Sequence, residues 1–406
     1  MNRLIVVGAG PAGLSLALQL ARAGVGVVLV EANRGFTRQF RGDALMPCGQ
    51  EALARMGLWN LLEGLPQRTL QGWGVWLERQ RLFELAEPLG SLQPCRLVPQ
   101  RALLEALLEQ ALQQPSFAWQ AGVPVRGLLW TGPGRGQGRI SGVELADGRR
   151  LEADLVVACD GRQSLLRQQA ELPLRRSGQG LDLLWFTLPA PHGAAAPGFM
   201  TLLAGGAITS ACGGANGELQ LAWVLPPGAT APRRSTGDWA EALAALAPPA
   251  LAELLHQQAD ALSEPLRVRV EVGLAPRWQR PGLLLLGDAA HPMSPVRAQG
   301  INMALRDSLV AAQELLTAEG PAQLDAAAER VQRRRLPEIR RMQALQSAEA
   351  RQGALLGHST LLRHTVAAAA PLAGPLASAL WRRRQGPLRQ GLVDALVPYR
   401  TNSISW

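Results

Sequence analysis

Cysteine is scarce in this 406-residue chain, and the four that occur, Cys48, Cys95, Cys159 and Cys212, stand far apart. No interval between them has the paired spacing of a zinc site or a dithiol redox centre, which excludes both and fits a reducing compartment. Lysine is absent, so the net charge of +9 is carried wholly by arginine. A basic field favours anionic cofactors, anionic substrates or a phospholipid surface. Because no nucleic-acid motif and no basic stripe interleaved with aromatics accompanies it, nucleic acid is not an expected partner. The densest basic run, Arg330, Arg333, Arg334, Arg335, Arg340 and Arg341, reads as the solvated face of a long helix. Long apolar segments are also missing. The uncharged stretch Thr365 to Trp381 is broken by Pro371 and Pro375 and is shorter than the ~20 residues of a spanning helix. The chain enters a strand at Leu4 without a basic leader or a cleavable apolar segment, so a cytoplasmic protein is expected.

What is present describes an ordinary globular protein, 47% hydrophobic and 18% charged. Its length exceeds the roughly 250 to 300 residues of a single core, which predicts two domains or one domain with a large insertion. The opening reads strand (Leu4 to Val7), glycine turn, helix (Ala12 to Ala23), strand (Val27 to Val30), a βαβ unit. Helices are predicted near Gln50 to Arg55 and over Gln100 to Leu112, where Leu103, Leu104, Leu107 and Leu108 recur with helical period. Short apolar segments from Val125 to Val157 predict an antiparallel meander, and the glycine-rich tract Gly132 to Gly138 within it is a turn, with no helix behind it to make a phosphate loop. Strand-like runs at Leu181 to Leu188, Phe199 to Leu203 and Glu218 to Leu225, with a helix around Trp239 to His256, read as an inserted sheet. The chain returns through Arg267 to Val272 and a buried strand, Leu283 to Leu286, to a helix from about Gly300 to Leu316, and is helical beyond about Asp325.

Gly8-Ala9-Gly10-Pro11-Ala12-Gly13 fills a G-x-G-x-x-G pattern directly after a strand and before a helix. Gly8 permits the tight turn, Gly10 lets the backbone approach a pyrophosphate, and Gly13 lets helix pack on strand; the helix N-terminus, from Pro11 and Ala12 onward, offers free N–H groups and the positive end of its dipole. Glu31 ends the second strand, where a carboxylate can accept from ribose hydroxyls. An acid at that point disfavours a 2′-phosphate, leaving FAD or NAD as the nucleotide.

Two later motifs choose between them. Asp154-Leu155-Val156-Val157-Ala158-Cys159-Asp160-Gly161, followed by Ser164 and Arg167, and Gly287-Asp288-Ala289-Ala290-His291, followed by Pro295, Gln299, Gly300, Asn302 and Asp307, resemble the Asp-Gly and Gly-Asp elements of the class A FAD-dependent monooxygenases, the family of para-hydroxybenzoate hydroxylase. The resemblance covers residues 1 to about 345 and is specific for the flavin fold, not for substrate. It implies that Asp160 and Asp288 bind FAD, with Asp288 at the ribityl hydroxyls, and that Pro295, Gln299, Gly300, Ile301 and Asn302 border the flavin, the Gly300 helix directing its N–H groups at the pyrimidine end. It also implies cofactor contacts for Arg41 and Gln100. One position departs from the family: Arg297 stands where the helix-leading loop has glycine, which predicts backbone strain and a side chain beside the flavin. Pro295, Arg297 and His291 are the candidate catalytic neighbours, His291 reading foremost as a packing residue; no histidine has metal or triad spacing. Trp73, Trp76, Trp185 and Trp223 either line an apolar pocket or form core.

The expected fold is α/β: a Rossmann-like FAD-binding domain over residues 1-70, 97-172 and 268-345, an inserted mixed β-sheet substrate domain over 71-96 and 173-267, and a C-terminal helical segment, 346-406. The resemblance implies an enzyme that uses NAD(P)H as a transient electron donor, O2 and FAD to hydroxylate a small aromatic or lipophilic molecule. Two alternatives stand beside it: an FAD-dependent reductase or dehydrogenase of isoprenoid or quinone-like lipids, for which Thr365 to Trp381 and its flanking arginines suggest peripheral membrane contact, and a flavin-binding protein without monooxygenase activity.

Overall fold

The computed structural model describes residues 3–36, 43–90, 93–132, 136–177, 180–189, 198–226, 228–232, 234–392 and 396. Arg41 and the middle of the 132–138 tract lie outside them. The strand Arg3–Val7 is buried at four of its five positions, feeds helix α1 (Pro11–Arg22) and pairs in parallel with Gly26–Glu31 on one side and Leu155–Ala158 on the other. Leu283–Leu285 and Gln279–Arg280 extend this six-stranded sheet at one edge and Phe117–Ala121 at the other. Strands buried on both faces need continuous apolar sequence, which Leu-Ile-Val-Val and Leu-Val-Val-Ala supply.

Helices α2 (Pro47–Arg55) and α3 (Trp59–Glu63) follow, then α4 (Gln100–Leu112), whose buried Leu103, Leu104, Leu107 and Ala111 join the same core as α1. The meander is a three-stranded antiparallel sheet, Val125–Trp130, Ile140–Leu145 and Arg150–Glu152, and delivers the chain to Leu155. A short helix α5 (Leu165–Gln169) is capped by Ser164, whose hydroxyl accepts from the Arg167 N–H at 2.9 Å.

The second sheet has seven strands in the order Leu266–Val270, Leu181–Leu188, Leu219–Leu225, Ala207–Gly213, Phe199–Ala204, Gly72–Leu77 and Gln80–Ala86. Residue alternation divides its two faces. Leu184, Phe186, Met200 and Leu202 pack under α6 (Thr236–Leu246) and α7 (Pro249–Gln257), with Phe186 and Trp239 ring centroids 5.3 Å apart. Leu183, Trp185, Phe199 and Thr201 face the opposite way, into a cavity. Two features here differ from the sequence reading. The expected single helix over Trp239 to His256 is two, because Ala247 is extended (ψ 154°) ahead of Pro248-Pro249. The strand Ala207–Gly213, rich in small and polar residues, had no apolar signal.

The C-terminal third is helical: α8 (Gln299–Leu315), α9 (Gly320–His358), α10 (Thr360–Ala368) and α11 (Ala370–Gln390). The arginine run lies on α9 but is not all solvated. Arg335 is fully buried, its Nε donating to Asp307 Oδ1 at 2.7 Å and its Nη1 pairing with Glu338. Glu338 also takes Arg306 at 2.8 Å and accepts from the Leu392 N–H at 2.6 Å. The other Asp307 oxygen accepts from the Gly287 N–H at 3.1 Å and meets His291 Nε2 at 2.6 Å.

Burial alone would push the Asp307 carboxyl up, but His291 and Arg335 outweigh it and hold it below its ordinary value. A carboxyl depressed in the folded state contributes stability above its unfolded pKa of about 3.9, lost as pH falls through the lower folded value. Asp307→Asn leaves Arg335 underpartnered and should cost about 3–5 kcal/mol at neutral pH. Denaturant midpoints measured from pH 7 to pH 3 should fall below about pH 4 for the wild type, with a shallower fall for the variant.

Candidate active site

The glycine turn is built by close contact. Gly8 has φ +99°, and a Cβ there would lie 2.4 Å from the Cys159 carbonyl oxygen; at Gly13 it would lie 2.0 Å from the Gly8 oxygen. At Gly10 a Cβ would meet nothing within 4 Å, and Gly10, Pro11 and Ala12 line a cavity. The first turn of α1 has no side-chain cap and no acidic residue, so its N–H groups and dipole face that space unneutralised. Glu31 is not on the cavity wall. Its carboxylate accepts from the Ala9 N–H at 2.9 Å and from the backbone and side chain of Asn33 at 3.0 and 2.9 Å, and so fixes the turn from behind.

The C-terminal edge of the first sheet supplies the next wall. Asp160 follows Leu155–Ala158; one oxygen accepts from the Leu166 N–H at 3.1 Å, the other is buried without a partner, and burial raises its carboxyl. Asp288 follows Leu283–Leu285 and pairs with Arg162 Nε at 2.9 Å. Both acids, Arg162 and Gln100 line the cavity. Asp43 lines it too. Burial and nearby Glu218 push its carboxyl up, while the Gln220 amide donates to it at 3.2 Å. Arg162 and Gln220 were not singled out in the sequence, and Asp43 stood only as the end of Arg41-Gly42-Asp43, a tripeptide that fits the family through its arginine; Arg162 abuts Gly161 of a motif, and Gln220 gives no signal.

Pro295, Val296, Arg297, Ala298, Gly300 and Ile301 form a continuous stretch of wall. Arg297 (φ 59°, ψ 28°) and Ala298 (φ 49°, ψ 36°) are both left-handed. That conformation costs a non-glycine residue roughly 1–2 kcal/mol and persists where surroundings over-determine it. Here the Arg297 guanidinium lies 4.8 Å from the Trp73 and Trp381 ring centroids and 5.6 Å from that of Phe199, and pairs with Glu349. Gln299 and Asn302 are fully buried behind the wall. Gln299 donates to the carbonyls of Arg297 (3.0 Å) and Leu388 (2.8 Å). Asn302 accepts from the Met46 N–H at 2.9 Å and donates to Ala44 at 3.1 Å and Ala298 at 2.7 Å. His291 is buried between Asp307 and the Trp278 ring, 4.9 Å centroid to centroid, off the cavity.

The cavity has a volume of about 1820 Å³ and runs unbroken from the glycine turn to the second sheet, well beyond the ~300–1,000 Å³ of a single small-ligand pocket. Trp73 and Trp185 line it, whereas Trp76 packs into the core under α6 and α7, as does Trp223, which lies 5.6 Å from the Trp239 ring and meets the cavity only at its edge. Its far wall is apolar, with Leu183, Phe199 and Ile208 beside Thr201, Thr209 and Ser210. The open backbone at Gly10, the uncapped helix N-terminus and the orphaned Asp160 oxygen fit a dinucleotide carrying pyrophosphate and hydroxyl groups. No cluster of His, Cys, Asp and Glu among the described residues could hold a metal.

An FAD binding domain model matches residues 2–342. The 6-methylpretetramide 4-monooxygenase of Streptomyces rimosus is 37% identical over 363 residues, 85% of this chain and 83% of that protein. The ubiquinone hydroxylase UbiL of Rhodospirillum rubrum is 29% identical over 78% of this chain and 72% of its own length. Among solved structures, P. aeruginosa PqsL in complex with 2-aminobenzoylacetate superposes with TM-score 0.73 at 20% identity, covering 90% of this chain and 98% of that one.

Gly10 and Gly13 separate binding from folding. Gly10→Val projects into open space, so the apo protein should keep its melting temperature while FAD affinity, read by flavin fluorescence titration, falls about tenfold or more. Gly13→Ala meets backbone at 2.0 Å and should lower the melting temperature itself.

Proposed function

The chain belongs to the class A FAD-dependent monooxygenases, and from that premise we propose that it hydroxylates an aromatic substrate of more than one ring in the space between the flavin and the seven-stranded sheet. The observation that carries the proposal is the continuous cavity of about 1820 Å³ joining the glycine turn to an apolar sheet face with Trp73 and Trp185. The relation to a 6-methylpretetramide 4-monooxygenase supports the monooxygenase part of the reading.

In this reading the Gly10–Ala12 backbone and the α1 N-terminus hold the pyrophosphate, Glu31 holds the turn that carries them, and Gln100, Asp160 and Asp288 hold the remaining polar groups of FAD, with Arg41 as a further contact. Bound FAD supplies electrons from NAD(P)H and the activation of O2. The protein's own part is to bind, orient and exclude water. Trp185, Phe199 and Leu183 give a planar substrate apolar surface, and Thr201 and Ser210 offer hydroxyls that set its register. The α8 N-terminus, opened by Gly300 and Ile301, directs its dipole at the wall where negative charge develops.

NAD(P)H consumption and O2 uptake by the FAD-loaded protein should accelerate with multi-ring phenols and quinones, and mass spectrometry should find one added oxygen atom in the product. Acceleration by single-ring phenols alone would remove the multi-ring assignment; fast flavin reduction with no oxygen transferred to any compound would favour the reductase alternative.

We also propose a peripheral lipid contact. Leu361, Leu372, Leu376 and Leu380 are 81%, 88%, 66% and 50% exposed on α10 and α11, next to exposed Arg382, Arg383 and Arg384. No helix among the described residues is long and apolar enough to cross a membrane; apolar residues beside arginines suit the surface of an anionic bilayer. The protein should float with phosphatidylglycerol vesicles and not with phosphatidylcholine vesicles, and Leu372→Glu with Leu376→Glu should abolish flotation.

A further inference from the structure

Arg297 is a feature of the cavity that the proposed reaction does not use. Its guanidinium sits in a three-ring box, with Trp73 and Phe199 from the second sheet and Trp381 from α11, and its side chain is only 6% exposed. Its partner Glu349 comes from α9 and stands on the same cavity wall, held in turn by the Gln385 amide of α11 at 3.3 Å. Four separate elements thus converge to fix one positive and one negative charge beside the 295–301 wall. The rings exclude water from the cation, so its field is poorly screened. Two successive left-handed residues are maintained to keep it there.

We propose that the Arg297–Glu349 pair tunes the reduction potential of the bound flavin, its two charges acting on the cofactor in opposite directions. This rests on the reading that the flavin lies against the 295–301 wall. Reduction adds negative charge to the flavin. The guanidinium favours the reduced form and the carboxylate disfavours it; the intact pair sets the balance. Trp381 and Gln385 are positioning residues, which makes the C-terminal helix a working part of the site.

The test is anaerobic potentiometry of the FAD-loaded protein against a reference dye, for the wild type, Arg297→Gln, Glu349→Gln and the double variant. Loss of one poorly screened charge beside the flavin should move the two-electron equilibrium about tenfold. Arg297→Gln should shift it toward oxidised flavin, Glu349→Gln toward reduced flavin, and the double variant should return near the wild type. A purely structural role would move both single variants the same way. Equal-sign shifts, or none in protein that holds FAD, overturn the proposal. If Arg297→Gln does not fold, Glu349→Gln decides alone, since an unshifted potential there is already fatal. Wild-type protein that stays colourless with added FAD would overturn the flavin assignment as well, an outcome distinct from a coloured protein with unmoved potentials.

Discussion

The buried charges of α8 and α9 are the interaction on which the rest of the site depends. Arg306, Asp307, Arg335 and Glu338 are all fully buried, two cations against two anions, so the quartet is electrically balanced without water. Such a cluster is a weak source of net stability, because desolvation offsets most of the attraction, but removing one member is expensive. Its value is therefore geometric. Asp307 reaches from α8 to the Gly287 N–H and to His291, pinning the loop that presents Asp288 to the cavity. Glu338 reaches to Leu392 and so ties in the chain beyond α11. One polar knot sets the angle of α8, the position of Asp288 and the seat of the C-terminal segment.

The two ends of the cavity are held by different physics. At the nucleotide end the constraint is steric: backbone passes backbone so closely at Gly8 and Gly13 that only hydrogen fits. At the flavin end it is electrostatic and aromatic. A loop in which the family resemblance implies glycine is built here with arginine in the left-handed region, and the strain is balanced by three ring contacts and an ion pair. Steric constraints bind whatever fits; charge constraints act on whatever is bound.

That difference explains what was legible in the sequence. The βαβ opening, α4, the meander and the strand at Leu181 were readable because local periodicity and glycine placement determine them. The left-handed backbone at Arg297 was readable because the family pattern marks that position as glycine. Glu349 and Trp381 were not, since they approach Arg297 from positions 52 and 84 residues later along the chain (349 − 297 and 381 − 297) and neither belongs to a motif. Arg335 was misread for a related reason: in a run of arginines, composition cannot say which one meets a buried carboxylate.

The motif residues themselves divide into wall and buttress. Gly10, Asp160, Asp288, Pro295 and Gly300 face the cavity, whereas Glu31, His291, Gln299 and Asn302 spend their polar atoms on neighbouring backbone or side chains. Asn302 shows why a buttress is as specific as a ligand. It joins α8 to the Ala44–Met46 segment through two hydrogen bonds and holds the Ala298 carbonyl with a third, and Gly49 must lack a Cβ because one would fall 2.1 Å from its Oδ1. A motif read from sequence therefore marks a shape held at two depths, and substitution at the deeper one should disturb the wall without touching anything bound to it.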